Sequence, residues 1–405
     1  MPPSRPIDPA ARRAPRDARF LLHCHDSYGL GHLRRTLTLA AALRERFEGS
    51  RVLVTSGSPC ATHFPLPAGV DVVKLPAVTK TANGKYAPRT LGGKLGQVVA
   101  MRSQILLAAL RTFEPDAVVV DHQVLGLEGE LAPLLEEARR RGVRAVLGIR
   151  DIIDSPERVA AEWGRPEIRR ALSTQYDRIC VYGAPEVFDP RLEYPIPPEL
   201  RNLVEFTGYV VRPRSKAPAR AVPHLQRRVL VLVGGGEDGA PRVSTYLDML
   251  ERARPGWDST IVLGPLLPER DTRRIKRRAR LIDGVEIHAF HSDVPRLLLQ
   301  SDAVVSMAGY NSVAEILQSR TPAVLWPRTA PRREQLLRAE RLEALGLVSS
   351  LPAPTPESLR ARLEEALARG RTSGPLPPLD GHARLCSVVG GLLRHETPKR
   401  KNVVA

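Results

Sequence analysis

Short apolar runs alternate with amphipathic stretches along most of this chain, break off once, and then resume. The first series of apolar runs is Phe20–His23, Val52–Thr55, Val70–Leu75, Ala117–Val120, Ala145–Ile149 and Arg178–Tyr182. Helical periodicity occupies Leu33–Phe47, Leu95–Phe113 and Glu128–Arg141 between them. Strands this uniformly apolar belong in a parallel sheet covered on both faces, and parallel strands need crossover helices. The break is the proline-rich, charged stretch RPRSKAPARAVPHLQ at Arg212–Gln226, which has the composition of an interdomain linker. Strands then resume at Arg228–Val233, Thr260–Leu263, Val285–His288, Ala303–Val305 and Ala323–Trp326. Helices are expected over Pro241–Arg252, Val294–Gln300, Val313–Gln318, Arg333–Leu345 and Pro356–Ala368, with a last one over Gly381–Leu393. The expected organisation is two α/β domains, 20–210 and 228–372, joined by a linker at 211–227. A disordered basic tail at 1–19 precedes them, and a helix with a basic tail at 373–405 follows.

Three glycine-bearing turns follow strands, and ligands in open parallel sheets bind at the carboxyl ends of the strands. The first is Tyr28-Gly29-Leu30-Gly31-His32, where the glycines admit close approach to the backbone and His32 opens a helix. Arg34 stands where a third glycine would complete G-x-G-x-x-G, so a dinucleotide fingerprint is disfavoured. The second is Gly234-Gly235-Gly236-Glu237-Asp238-Gly239, which offers N–H donors to phosphate but carries two acids. The third, Ser306-Met307-Ala308-Gly309-Tyr310-Asn311-Ser312-Val313-Ala314-Glu315, runs from a strand into a helix. Its N–H groups around Ala308, Gly309, Asn311 and Ser312 are placed to bind a phosphate, with Glu315 one turn inside the helix near a ribose hydroxyl. No G-x-x-x-x-G-K-[ST] occurs, so an ATPase-type phosphate loop is excluded.

Composition narrows the class further. No stretch approaches the roughly 18 apolar residues that span a bilayer, and Met1–Arg19 lacks the apolar region of a signal peptide. The four cysteines, Cys24, Cys60, Cys180 and Cys386, show no metal or redox spacing, which points to the cytoplasm. The net charge of +17 is partly local, in the tails and in Arg270–Arg280. That run reads as a solvated helix face. It carries no interleaved aromatic residue on which a base would stack, so nucleic acid is disfavoured as a partner. Peripheral contact with an anionic membrane at the inner face remains compatible with the charge.

With these motifs the chain resembles the GT-B glycosyltransferases. It is similar in particular to the family that adds N-acetylglucosamine to the lipid precursor of peptidoglycan, and to that family's uncharacterised relatives. The likeness runs from about Phe20 to Gly346. It implies two Rossmann-like domains facing across a cleft, a nucleotide-sugar donor, inversion at the anomeric carbon, and neither cofactor nor metal. By the same resemblance Gly29–His32 face the acceptor and the reacting sugar, and Arg212 of Thr207–Arg212 contacts the diphosphate. Gly234, Gly235 and Gly236 hold phosphate, the turn at Phe290-His291 reads the uracil, Glu315 holds the ribose, and Glu334-Gln335 meet the donor sugar. Gly236 departs from the pattern, since a serine would meet phosphate there, and Asp238 adds charge to the loop.

The reaction expected is transfer of a hexose or N-acetylhexosamine from a UDP-sugar to an acceptor hydroxyl. It needs a base for the acceptor and charge stabilisation for the departing diphosphate. His32 is the first candidate base, with Asp121 or His122 next. Asp121 and His122 read equally well as acceptor ligands or helix caps, and Asp151 and Asp154 share that ambiguity. His288 and His291, flanking Phe290, suit a base pocket better than proton transfer. The basic, glycine-rich stretch Val78–Lys94 is either a lid over an anionic acceptor or a surface loop. The acceptor is unidentified, with an anionic or lipid-linked molecule the leading class. A nucleotide-sugar epimerase or hydrolase on the same fold, and a noncatalytic nucleotide-sugar-binding protein, are the alternatives.

Overall fold

A computed structural model of the chain describes residues 17–24, 31–59, 61, 65–80, 85–194, 196–212, 226–235, 238–252 and 255–394. Gly29 and Gly236 lie outside the described residues, as do Tyr28, Cys60, most of the linker and of both basic tails, and positions 81–84 of the Val78–Lys94 stretch.

The first apolar series forms a seven-stranded parallel sheet. Its spatial order is Val70–Lys74, Arg51–Ser56, Arg19–Cys24, Ala117–Asp121, Arg144–Arg150, Arg178–Tyr182 and Val204–Phe206. The second series forms a six-stranded parallel sheet in the order Val285–His288, Trp257–Val262, Arg227–Leu232, Ala303–Ser306, Ala323–Leu325 and Ser349–Ser350. In both sheets the first strand of the chain lies between the second and the fourth. The connections therefore leave in opposite directions from the first and fourth strands, and a crevice opens there at the strands' carboxyl ends. Register sets what lines it: Cys24 is level with Asp121 in one sheet, and Leu232 with Ser306 in the other. Cys24 and Ser306, the last residues of their strands, thus both stand at a switch point.

Local signals explain where elements differ from the expected bounds. The helix expected over Glu128–Arg141 forms only over Ala132–Arg140. Gly126, Glu128 and Gly129 take φ values of 69°, 48° and 84°, which no helix accommodates. Two helices that periodicity left unread, Pro156–Trp163 and Pro166–Thr174, each begin on a proline followed by glutamate. That is a good helix start even where the following pattern is short. Part of Val78–Lys94 is a two-stranded antiparallel hairpin, Val78–Lys80 against Tyr86–Pro88. The arginine-rich segment is the helix Glu269–Ala279, and Arg278 on it pairs with Asp248 and Glu251, each at 2.7 Å.

The chain passes between the domains twice, and the two passages run side by side. Tyr209 donates its N–H to Pro378 at 2.8 Å, and Gly381 donates to Tyr209 at 3.0 Å. Gly208, at φ 83°, and Gly381 have no room for a Cβ there, because each faces the other passage's backbone. Beyond this point the helix Gly381–Arg394 returns to the first domain and packs on the helix Gly31–Arg46. Leu385, Cys386 and Val389 join the same core as Phe47.

A buried ionic network braces the first domain beneath the crevice. Glu130 accepts hydrogen bonds from Arg102 Nη2 at 2.8 Å and lies 3.3 Å from His23 Nε2, while His23 Nδ1 meets Thr55 Oγ1 at 2.9 Å. Burial alone would raise the Glu130 pKa; the hydrogen bonds from Arg102 and His23 outweigh it and hold the carboxyl at about 2. A carboxyl depressed in the folded state adds stability above its unfolded pKa of about 4.3, and loses it as pH falls towards the folded value. The shift corresponds to about 3 kcal/mol, lost between roughly pH 4.3 and 2. Glu130→Gln is expected to flatten that part of the stability curve relative to the parent chain, measured by urea unfolding at a series of acidic pH values.

Candidate active site

His32 occupies the first turn of the helix Gly31–Arg46, and Asp121 is the last residue of its strand at the switch point. Asp121 Oδ2 lies 2.5 Å from His32 Nδ1. Arg35, one turn beyond His32, grips the same carboxylate with Nε at 3.0 Å from Oδ1 and Nη2 at 2.8 and 2.7 Å from Oδ1 and Oδ2. Burial pushes the Asp121 carboxyl up, but the charges and hydrogen bonds of Arg35 and His32 prevail and hold it well below the usual carboxylate range. An ionised Asp121 only accepts, so the proton sits on Nδ1 of His32 and Nε2 is left as the basic nitrogen. Arg35 Nη2, 2.9 Å from the same Nδ1, is then a charged neighbour and not a donor to it.

His122 follows with φ 72°, a strained conformation for a residue with a Cβ, and its ring centre lies 5.1 Å from that of His32. Its Nε2 is 3.2 Å from Arg150 Nη2, which in turn lies 2.6 Å from Glu334 Oε2 of the second domain. Glu334 is buried, and Arg150, followed by Arg338, Arg328 and Arg332, overcomes that burial and lowers its pKa. One residue beyond His122 begins a groove of about 620 Å³. It is walled by Tyr86 of the hairpin, the turn at Gly126–Gly129, the helix carrying Arg158 and Glu162, and Arg332 of the second domain.

The second domain presents the Ser306–Glu315 turn to this cluster. Ala308 takes φ 60°, so the chain reverses sharply and Gly309 caps the helix Tyr310–Ser319. Asn311 Nδ2 donates to the Gly31 carbonyl at 2.9 Å, which sets the two helix N-termini against one another across the crevice. Glu315 is buried, and its Oε1 receives Arg34 Nη2 at 3.0 Å and Arg212 Nε and Nη2 at 3.2 and 3.0 Å. Arg212 Nη1 also reaches the Ser292 carbonyl at 3.3 Å, beside the Phe290-His291 turn. Phe290 is half exposed at that turn, and the His291 ring centre lies 5.4 Å from that of His288.

A fully buried clamp joins the domains behind the crevice. Arg338 meets Asp151 through Nη2 at 2.7 Å and Nε at 2.9 Å, and Tyr209 donates its hydroxyl to Asp151 Oδ2 at 2.9 Å. The same arginine donates Nη1 to the Ala308 carbonyl at 2.9 Å, so the clamp also fixes the strained residue of the turn. Tyr310 stacks on Tyr209 at 5.6 Å, and its ring centre lies 5.1 Å from the guanidinium carbon of Arg35 and 5.8 Å from that of Arg338.

The structure thus brings His32, Asp121 and His122 into one cluster and sets Gly31, Arg212, Asn311 and Glu315 against it. Ala308, Gly309 and Ser312 lie on the same turn. Gly234 and Gly235 close onto another loop, where the Gly235 carbonyl accepts from Leu266 N at 3.0 Å. Gln335 holds the Arg328 N–H at 2.9 Å and shapes the loop after the strand Ala323–Leu325. Sequence reasoning missed Arg34, Arg35 and Tyr310. The three-residue spacing of His32 and Arg35 on one helix face was the available signal. Among the described residues no cluster of three or more His, Cys, Asp or Glu side chains is arranged to hold a metal ion, and no helix is long and apolar enough to cross a membrane.

Residues 231–373 match the family model described as the glycosyltransferase family 28 C-terminal domain. The chain is 29% identical, over 84% of its length and 86% of the relative's, to a UDP-N-acetylglucosamine–N-acetylmuramyl-(pentapeptide) pyrophosphoryl-undecaprenol N-acetylglucosamine transferase of Nitrobacter winogradskyi. An uncharacterized glycosyltransferase of Methanosarcina acetivorans is 23% identical over 92% of this chain and 97% of its own. Among solved structures, MurG of Acinetobacter baumannii superposes with a TM-score of 0.54 at 15% identity, covering 94% of this chain and 96% of that one.

Proposed function

We propose that this chain, a glycosyltransferase of the GT-B fold, moves a hexose or N-acetylhexosamine from a UDP-sugar to an acceptor hydroxyl with inversion. The observation that carries the reading is the His32–Asp121 pair at 2.5 Å, standing at the switch point of one domain and facing the Glu315 turn of the other. His32 Nε2 takes the proton of the acceptor hydroxyl as its oxygen attacks the anomeric carbon, and Asp121 stabilises the imidazolium that forms. One displacement by the acceptor breaks the bond to the diphosphate and inverts the centre. Arg212 and the N-terminus of the helix Tyr310–Ser319 meet the negative charge left on the diphosphate, so the step calls for no metal ion.

Glu315 is the ribose ligand in this reading, the Phe290-His291 turn and the Gly234–Gly235 loop hold the base and phosphate ends, and Glu334 and Gln335 border the sugar. The groove beyond His122 takes the body of the acceptor. Its mixture of Arg158, Arg332, Glu162 and apolar surface suits a large amphiphilic molecule. The Nitrobacter relative acts on a pyrophosphoryl-undecaprenol acceptor, so an anionic, lipid-linked substrate is the first class to try. With such an acceptor the basic excess would hold the enzyme at the cytoplasmic face of an anionic membrane.

Thermal unfolding in the presence of UDP-, dTDP- and GDP-sugars tests the donor. UDP-N-acetylglucosamine or another UDP-sugar is expected to raise the midpoint by mass action. Glu315→Ala is expected to lose about tenfold in donor affinity, the value of one charge-assisted hydrogen bond. Stabilisation by none of the sugars at millimolar concentration would overturn the reading.

A further inference from the structure

Three arginines of the cleft between the domains each grip a buried carboxylate. Arg35 holds Asp121, Arg338 holds Asp151 and Arg150 holds Glu334. Arg34 and Arg212 share one carboxylate, and both reach the same oxygen, Glu315 Oε1, at 3.0 Å. The cluster therefore carries one uncompensated positive charge. Both helix N-termini joined by Asn311 and Gly31 add the positive ends of their dipoles to it. Burial lowers the Arg34 pKa; Glu315 opposes the shift and Arg212 adds to it, as a cation crowded by another cation requires. Such a site is built to take an anion.

We propose that Arg34 is a ligand of the donor's diphosphate, delivered from the first domain, and that it leaves Glu315 when the donor binds. The exchange does two things at once. It places a second guanidinium beside Arg212 on the charge that develops on the leaving group. It also takes one of three donors off Glu315 Oε1, leaving the carboxylate to Arg212 and to a ribose hydroxyl. Without donor, Arg34 and Glu315 satisfy one another across the cleft and keep the ribose position occupied. The inference rests on the donor reading given above.

Calorimetric titration of the full chain with UDP and with uridine separates the possibilities. For Arg34→Gln the expected result is a loss of about tenfold or more in UDP affinity, with uridine binding unchanged or tighter because Arg34 no longer occupies Glu315. Arg34→Lys, which keeps the charge, is expected to retain most of the UDP affinity and confirms that the site stays folded. Equal loss of UDP and uridine affinity in Arg34→Gln would make Arg34 a strut between the domains and overturn the proposal. So would undiminished UDP affinity. Failure of the parent chain to bind either ligand would instead sink the donor reading, and the proposal with it.

Discussion

His32→Ala is expected to lower kcat by about 10²–10⁴-fold while donor binding survives, since the role proposed for the imidazole is to take the acceptor proton. Asp121→Asn is expected to cost a similar factor by a different route. An amide can present its N–H to His32 Nδ1 and hold the ring in the wrong tautomer, leaving Nε2 protonated and unable to act as a base. The same change leaves the buried guanidinium of Arg35 without its carboxylate, so Asp121→Asn should also lower the unfolding midpoint, whereas His32→Ala should not. Steady-state kinetics together with nucleotide titration check both. Retention of kcat in His32→Ala would remove the base from this histidine and leave His122, 5.1 Å away ring to ring, as the remaining imidazole in the cluster.

The second large effect falls on stability. Asp151 and Arg338 are both fully buried, on opposite sides of the domain boundary. Removing one member of such a pair leaves a charge with neither water nor partner, which costs about 3–5 kcal/mol. Asp151→Ala is therefore expected to lower the calorimetric midpoint and to separate the unfolding of the two domains, because Tyr209 loses its acceptor as well. Asp151→Leu combined with Arg338→Met should recover most of the loss, since an apolar pair of similar volume is near neutral at a buried site. The double variant should remain impaired in donor binding, because methionine at 338 cannot hold the Ala308 carbonyl in the turn proposed to meet the diphosphate. Full recovery of both properties would show that the clamp serves stability alone.

The cleft also shows why some motifs were legible and others were not. Ser306–Glu315 could be read because a strand, a small-residue turn and a helix follow one another within ten residues. His32, Asp121 and His122 could be nominated because each stands where an apolar run ends or a helix begins. That they form one cluster was not readable. His32 and Asp121 are 89 residues apart, and it takes the parallel register of Cys24 with Asp121 to bring them together. The charge run Arg270–Arg280 is conspicuous in the sequence, yet the arginines that meet the cleft carboxylates lie outside it: Arg34, Arg35, Arg150, Arg212 and Arg338.

By itself the sequence determined the two α/β domains, nearly every strand of both sheets and the turns at their carboxyl ends. Apolar periodicity and glycine placement act over a few residues, and runs apolar on both faces belong in parallel sheets covered on both sides. Tertiary structure alone decided which carboxylate each cleft arginine meets and that the last helix returns to the first domain. It also decided that Glu315 is shared between Arg34 and Arg212. Those pairings join residues 86, 103, 187 and 281 positions apart. A guanidinium carries no local preference for one carboxylate over another, so only the packed chain, which excludes water and fixes the distances, can select the partner.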